Sequence, residues 1–151
     1  MAYADYTFYT ESYYGDVLTE QNANKWLDRA SDYVDSITFH RTENTFPEEE
    51  AHVVKVKKAV CAIAEALSLI DAQAKAMQAT VDANGTYKGA VASMSSGRES
   101  ISYVQNGNNS VYGRAAVDMN ERDRLLYGIA TQYLADIPDS EGINLLYAGV
   151  M

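Results

Sequence analysis

The stretch EEEAHVVKVKKAVCAIAEALSLIDAQAKAMQATV, residues 48–81, decides the fold. Val53, Val56, Val60, Ile63, Leu67, Ile70, Ala74, Met77 and Val81 recur at alternating steps of three and four. That spacing puts them on one face of an α-helix. Val53 to Val81 spans ~42 Å at the helical rise, and no charged residue falls on the stripe. Alanines at 59, 62, 64, 66, 72 and 76 widen it with small side chains that allow close approach. The predicted helix covers 47–83. Its start is set either by Pro47 as the first helical residue or by a Thr45/Glu48 capping box. Glu48, Glu49 and Glu50 crowd the first turn, where negative charge is favoured, and Asn84-Gly85 is a good stop. Val53, Val56, Val60, Ile63, Leu67 and Ile70 are the expected seam, facing the core of a bundle or a second chain.

Outward from this helix the chain reads as more helix. Thr19 is a good N-cap for a helix over 20–39, with Ala23, Trp26, Leu27, Ala30, Tyr33, Val34 and Ile37 on one face and Lys25, Asp28, Asp32 and Asp35 opposite. A third helix is expected over 118–135, with Glu121 completing a capping box and Leu125, Leu126, Ile129, Ala130, Tyr133 and Leu134 as its apolar face. Residues 86–116 are rich in Gly, Ser and Asn and read as a long loop. One strand candidate, 100–104, lies inside it. Residues 1–18 form an aromatic arm holding Tyr3, Tyr6, Phe8, Tyr9, Tyr13 and Tyr14, expected to pack on its own domain or on a neighbouring subunit. Residues 139–151 form an apolar tail that some surface must cover. The expected fold is therefore mainly α. It is a small helical bundle in one domain, 1–151, with one long central helix, a short β strand or hairpin in a Gly/Ser-rich loop, and extended N- and C-terminal arms.

Composition excludes several classes. The chain has 151 residues, 47% of them hydrophobic and 22% charged, enough for a real core. Cys61 is the only cysteine, so no intrachain disulfide forms, and its apolar neighbours make it a buried hydrophobe. No apolar run reaches the length of a membrane span, no secretory signal is visible, and a cytoplasmic origin is expected. A net charge of −9 argues against a protein whose task is to grip nucleic acid, which needs clustered Lys and Arg. His40 and His52 have no metal-ligand spacing, and no nucleophile setting or phosphate cradle occurs. Glu65 and Asp71 read as solvated edge residues, and Lys55, Lys57 and Lys58 as one short basic patch, most simply a solvated face and alternatively a docking patch for an acidic partner. No enzyme activity, metal or cofactor is expected.

Three stretches carry a family resemblance. The first is Trp26-Leu27-Asp28-Arg29-Ala30-Ser31, running into Val34-Asp35-Ser36-Ile37-Thr38. The second is Val56-Lys57-Lys58-Ala59-Val60-Cys61-Ala62-Ile63-Ala64-Glu65. The third is Ser100-Ile101-Ser102-Tyr103, followed by a last helix and Leu145-Leu146-Tyr147-Ala148-Gly149-Val150. In this order, over nearly the whole chain, they resemble the head–tail connector (head-completion adaptor) proteins of long-tailed bacteriophages. Two departures concern partner contacts: Ala148 stands where many relatives carry a basic residue, and the insertion over 86–98 is long.

The resemblance implies a structural virion protein at the head–tail interface, assembled in the host cytoplasm. Such subunits form a ring, usually twelve-fold, below the portal protein. The ring extends the channel for passing genomic DNA, without specific binding, and receives the next connector, stopper or tail-completion protein. It involves no membrane. Leu145, Leu146, Tyr147 and Val150 are the expected portal-docking residues, because apolar content at a terminus needs a cover. Ser100, Ile101, Ser102 and Tyr103 are the expected channel or inter-subunit loop. The rival readings are a small helical DNA-packaging protein resembling the terminase small subunit, and a generic helical adaptor that dimerises along the long helix.

Overall fold

A computed structural model describes residues 2–77, 80–81, 87–88 and 110–148. The chain is mainly helical. Among the described residues the helices are α1 (Tyr6–Glu11), α2 (Ala23–Ile37), α3 (Arg41–Asn44), α4 (Glu50–Met77), α5 (Val111–Val117) and α6 (Met119–Leu134). Thr80–Val81 and Tyr87–Lys88 pair as a two-residue antiparallel ladder, β1 and β2. The chain divides into two compact units, one comprising the residues up to Leu67 and from Leu126 onward, the other Ser68–Leu125.

In the first unit the core is built from the periodic residues of α2, α4 and α6. Ala23, Trp26, Leu27, Ala30 and Val34 are buried on α2, and Val56, Ala59, Val60, Cys61, Ile63, Ala64, Ala66 and Leu67 on α4. Leu126, Ala130 and Leu134 are buried on α6. Val53 is only partly covered, at the edge of the stripe. Truncating a fully buried residue such as Ile63 to Ala removes about 2–5 kcal/mol, because the neighbours only partly close the cavity.

Several boundaries move for identifiable reasons. Helix α2 begins at Ala23 rather than 20, because Asn22 Oδ1 accepts the Thr19 N–H at 2.9 Å and the Thr19 carbonyl accepts from Ala23 at 2.8 Å, which closes a separate turn. Helix α4 begins at Glu50 rather than 47. Thr45 is drawn away from capping, since its hydroxyl donates to Asp139 Oδ2 at 2.7 Å and its carbonyl accepts from Ser140 at 3.0 Å. The Glu49 carbonyl takes the first helical bond, from Val53 at 2.9 Å. The helix ends at Met77 rather than 83. Val81 therefore pairs in β1 and does not extend the stripe. β-Branched residues suit a pleated strand better than a helix, and Asn-Gly is a hairpin signal as well as a helix stop.

Both arms are more folded than extended. Residues 6–11 of the N-terminal arm are helical, capped by Asp5, whose Oδ1 accepts the Phe8 N–H at 2.7 Å. The expected loop over 86–116 contains helix α5, capped by Ser110 accepting from Gly113 N–H at 2.8 Å. At α6, Asp118 Oδ1 accepts from Asn120 N–H at 2.9 Å, while Glu121 pairs with Arg124 at 3.3 Å. The C-terminal arm is a set of tight turns after α6, held by a bridge between Pro138 and Asn144. Gly142, at φ +85°, supplies the left-handed residue in them. The strand expected over 100–104 lies outside the described residues.

Candidate functional site

Two features of the first unit bring together residues that are far apart in sequence. One is the docked C-terminal tail. Ile137 and Leu145 are buried, and the Leu145 N–H donates to the Ile137 carbonyl at 2.9 Å. Asp139 organises the turn between them: its Oδ1 accepts the N–H groups of Glu141 and Ile143, both at 2.9 Å, and its Oδ2 accepts the Thr45 hydroxyl. Burial opposes ionisation of this carboxyl. The hydrogen bonds from Thr45, Ile143 and Glu141, with Arg41 nearby, outweigh it and hold Asp139 below the usual carboxylate range.

Arg41 fixes residues 144–147 of the tail. Its Nη1 donates to the carbonyls of Asn144 at 3.0 Å and Leu145 at 3.2 Å, and also to that of Tyr147. Its guanidinium stands 5.6 Å from the Phe39 ring and 5.9 Å from the Tyr147 ring. Phe39 and His40 are both left-handed, with φ of 56° and 63°. This conformation costs a non-glycine residue roughly 1–3 kcal/mol, and here it turns the chain so that α3 faces the tail.

The tail leaves specific apolar groups outside. Leu145 is 0% exposed and belongs to the core, Leu146 is partly covered, and Ile143 and Tyr147 are 39% and 51% exposed. Val150 and the loop residues Ser100, Ile101, Ser102 and Tyr103 lie outside the described residues. Of the seam residues, Val56, Val60, Ile63 and Leu67 are buried by their own chain in the first unit, Val53 is partly covered, and Ile70 is buried in the second unit's part of α4.

The second feature is a groove of about 800 Å³ at the α2–α3 corner, lined among others by Tyr3, Asp32, Asp35, Glu43, Phe46 and Lys57. Tyr3 and Phe46 stack at 5.2 Å and form an aromatic wall. The Tyr3 hydroxyl donates to Asp35 Oδ1, which also accepts from the Thr42 hydroxyl at 2.6 Å, and the Tyr3 N–H donates to Ser31 Oγ at 2.9 Å. Burial and the Asp35 carboxylate push the Tyr3 phenol well above the ordinary tyrosine range. Glu43 meets His40 Nδ1 at 2.9 Å, and Lys57 Nζ lies 5.4 Å from the Phe8 ring.

Arg41, Asp139 and Thr45 carry the tail, and their sequence neighbourhoods give little sign of it. Arg41 lies 103 residues from its first carbonyl partner, and long-range side-chain-to-backbone bonds leave no periodic trace. A short Asp-x-Glu-Gly turn signal at 139–142 is the only local mark. Among the described residues no group of three or more His, Cys, Asp or Glu is placed to hold a metal ion, and no helix is long and apolar enough to cross a membrane. No protein-family model, no curated protein and no solved structure matches this chain.

Proposed function

We propose that this chain is the subunit of a head–tail connector ring, a structural virion protein that sits below a phage portal, joins the DNA-filled head to the tail and extends the DNA channel. The ordered likeness of three sequence stretches to that family motivates the reading. The observation that carries it is the tail: Leu145 anchors the segment in the core, Arg41 clamps its carbonyls, and Ile143 and Tyr147 stand exposed on a fixed backbone. A preorganised segment with apolar side chains outward loses little ordering entropy when it docks on a protein partner. The charge of −9 fits a wall past which DNA slides, since like charge offers no phosphate sites.

The test is mass determination by light scattering with portal protein absent and then present. A complex of about twelve copies on the portal is expected from the ring symmetry of such assemblies. The same measurement on Ile143→Asp/Tyr147→Asp, which spares the Leu145 anchor, is expected to show loss of that complex with the fold intact. No complex between the wild-type chain and any portal, or a stable dimer instead, overturns the reading in favour of a generic adaptor. Tight DNA binding at moderate salt overturns it in favour of a packaging protein.

A further inference from the structure

The groove at the α2–α3 corner combines three carboxylates with an aromatic wall. Asp35 is engaged by Tyr3 and Thr42, while Asp32 and Glu43 are exposed at the rim, Glu43 with one oxygen 2.9 Å from His40 Nδ1; His40 and Lys57 of the same chain also line the groove. Tyr3 and Phe46 stack behind the carboxylates. This is the chemistry that receives a lysine side chain: carboxylates for the ammonium, an aromatic face for the charge, and an apolar wall for the methylene stem.

The cations at the start of α4 do not form one patch. At 3.6 residues per turn, Lys55 and Lys58 share a face, and Lys57 is turned about 100° from Lys58. Lys57 lines the groove, while Lys55 is exposed and Lys58 partly exposed. One protomer therefore carries an acidic, aromatic groove and, on a different face, a basic pair. Opposite charges on different faces of one chain are satisfied between copies, head to tail. A contact of that heterologous kind makes a ring when its rotation closes.

We infer that the groove receives Lys55 and Lys58 of the next copy of this chain and is the lateral contact of the assembly. The closed ring rests on the connector reading; the contact itself rests on the charge complementarity of the two surfaces.

The experiment uses the full chain carrying Ser36→Cys and Ala51→Cys together, both exposed and one helical turn from Asp32 and Lys55 so that every charge of the contact is kept, concentrated at low salt and treated with a short bis-maleimide. Cys61 is buried and does not compete. A ladder of covalent trimers and larger species is expected, with at most dimers from either single variant. The ladder should fade at about 0.5 M salt, where the Debye length falls to a few ångströms. Dimers only, or no cross-link, overturns the proposal.

Charge exchange supplies the second arm. Asp32→Lys/Glu43→Lys should weaken self-association about tenfold or more, and adding Lys55→Glu/Lys58→Glu should restore it. A fourfold variant no better than the double ones overturns the contact, with thermal midpoints confirming that each is folded. If Asp32→Lys/Glu43→Lys still loads a full ring on a portal, the groove contact fails and the connector reading stands. A ladder from a chain that binds no portal leaves the contact standing and removes the connector reading.

Discussion

The Tyr9 hydroxyl donates to Glu65 Oε2 at 2.7 Å and accepts the N–H groups of Val17 at 2.8 Å and Leu18 at 2.9 Å, so one oxygen ties the N-terminal arm to α4 across 56 residues of sequence. Tyr13 also donates to this carboxylate, at 3.2 Å. Glu65 is therefore an internal acceptor and not the solvated edge residue its place in the pattern suggested. Replacing Tyr9 by Phe leaves two N–H groups and a carboxylate oxygen without this partner. A loss of about 2–4 kcal/mol is expected, read as a lower urea midpoint at unchanged m-value, with Glu65→Gln milder because its amide oxygen still accepts.

Gly15 makes that arrangement possible. A Cβ built there stands 2.1 Å from Tyr9 Cε2 and Cζ, against a side chain that its hydrogen bonds hold in place. Gly15→Ala should cost about 1–3 kcal/mol through overpacking. Gly15→Ala in a Tyr9→Ala background should cost much less, and a double-mutant cycle gives the coupling directly. Equal costs in both backgrounds would remove the steric explanation.

The contrast between these elements and the helices shows what the sequence makes legible. Apolar periodicity located α2, α4 and α6, because each helix repeats its burial pattern several times and local steps of three and four encode one face. Val34 and Val60 are buried as their spacing requires. Helix ends were less legible, because a capping residue such as Thr45 has other uses once Asp139 comes near. The packing of the aromatic arm was expected, on its own domain or a neighbour, but the partners in Tyr9–Glu65 and Arg41–Asn144 were not legible, because each joins segments whose proximity only the folded chain creates. The groove had one sequence trace, the lysine run at 55–58, and its division between two faces follows from helical geometry.

Alkaline stability follows from the buried Tyr9 phenol, the half-buried phenols of Tyr3 and Tyr13, and the buried Cys61 thiol. Burial, opposed by hydrogen bonds from Leu18 and Val17 and reinforced by Glu65, pushes Tyr9 up to about 12 from an ordinary 10.0. Tyr3 and Tyr13 are also shifted upward, chiefly by burial. Burial and the Glu65 and Asp5 charges push Cys61 up to about 12 from 9.0. A raised folded value means stability that is complete below the unfolded pKa and lost as pH climbs through the folded one. The stability curve should therefore be unaffected by these groups up to pH 9, decline from there through Cys61, and fall more steeply between pH 10 and 12 as the tyrosines join. Tyrosinate absorbance at 295 nm should show a late class of phenols that merges with the early class in urea. A single early class in the native protein would contradict the buried tyrosine network.

Asp139 gives the opposite sign at the acid end. Its carboxyl is held below its ordinary 3.8, so it stabilises the fold above that value and the contribution disappears as pH falls through the lower folded value. Asp139→Asn keeps the size of the side chain, but an NH₂ group replaces one acceptor oxygen that now takes either the Thr45 hydroxyl or the two N–H groups of the 139–143 turn. A cost of about 1.5–3 kcal/mol is expected at pH 7, shrinking as the pH falls below the ordinary carboxylate range and the wild-type carboxylate is itself protonated. A cost independent of pH would mean that the turn depends on shape alone.

Arg41 should control the tail without controlling the core. Its guanidinium serves the carbonyls of Asn144, Leu145 and Tyr147, whereas Leu145 is also held by burial and by the Ile137 carbonyl. Arg41→Ala should therefore free the carbonyls of 144–147 and raise amide exchange there, while amides of α4 at Val60 and Ile63 keep their protection. Arg41→Lys keeps the charge but has a single rotatable ammonium in place of a planar fork, so partial protection is expected. The left-handed corner supplies the complementary measurement. His40→Gly removes the penalty of φ 63° and should raise the thermal midpoint by a few degrees, for a gain of about 1 kcal/mol. If the tail holds because Arg41 grips it, His40→Gly should leave exchange at 144–147 close to wild type even as overall stability rises. Rapid exchange in that variant would instead assign the tail's order to the rigidity of the corner, with Arg41 only following.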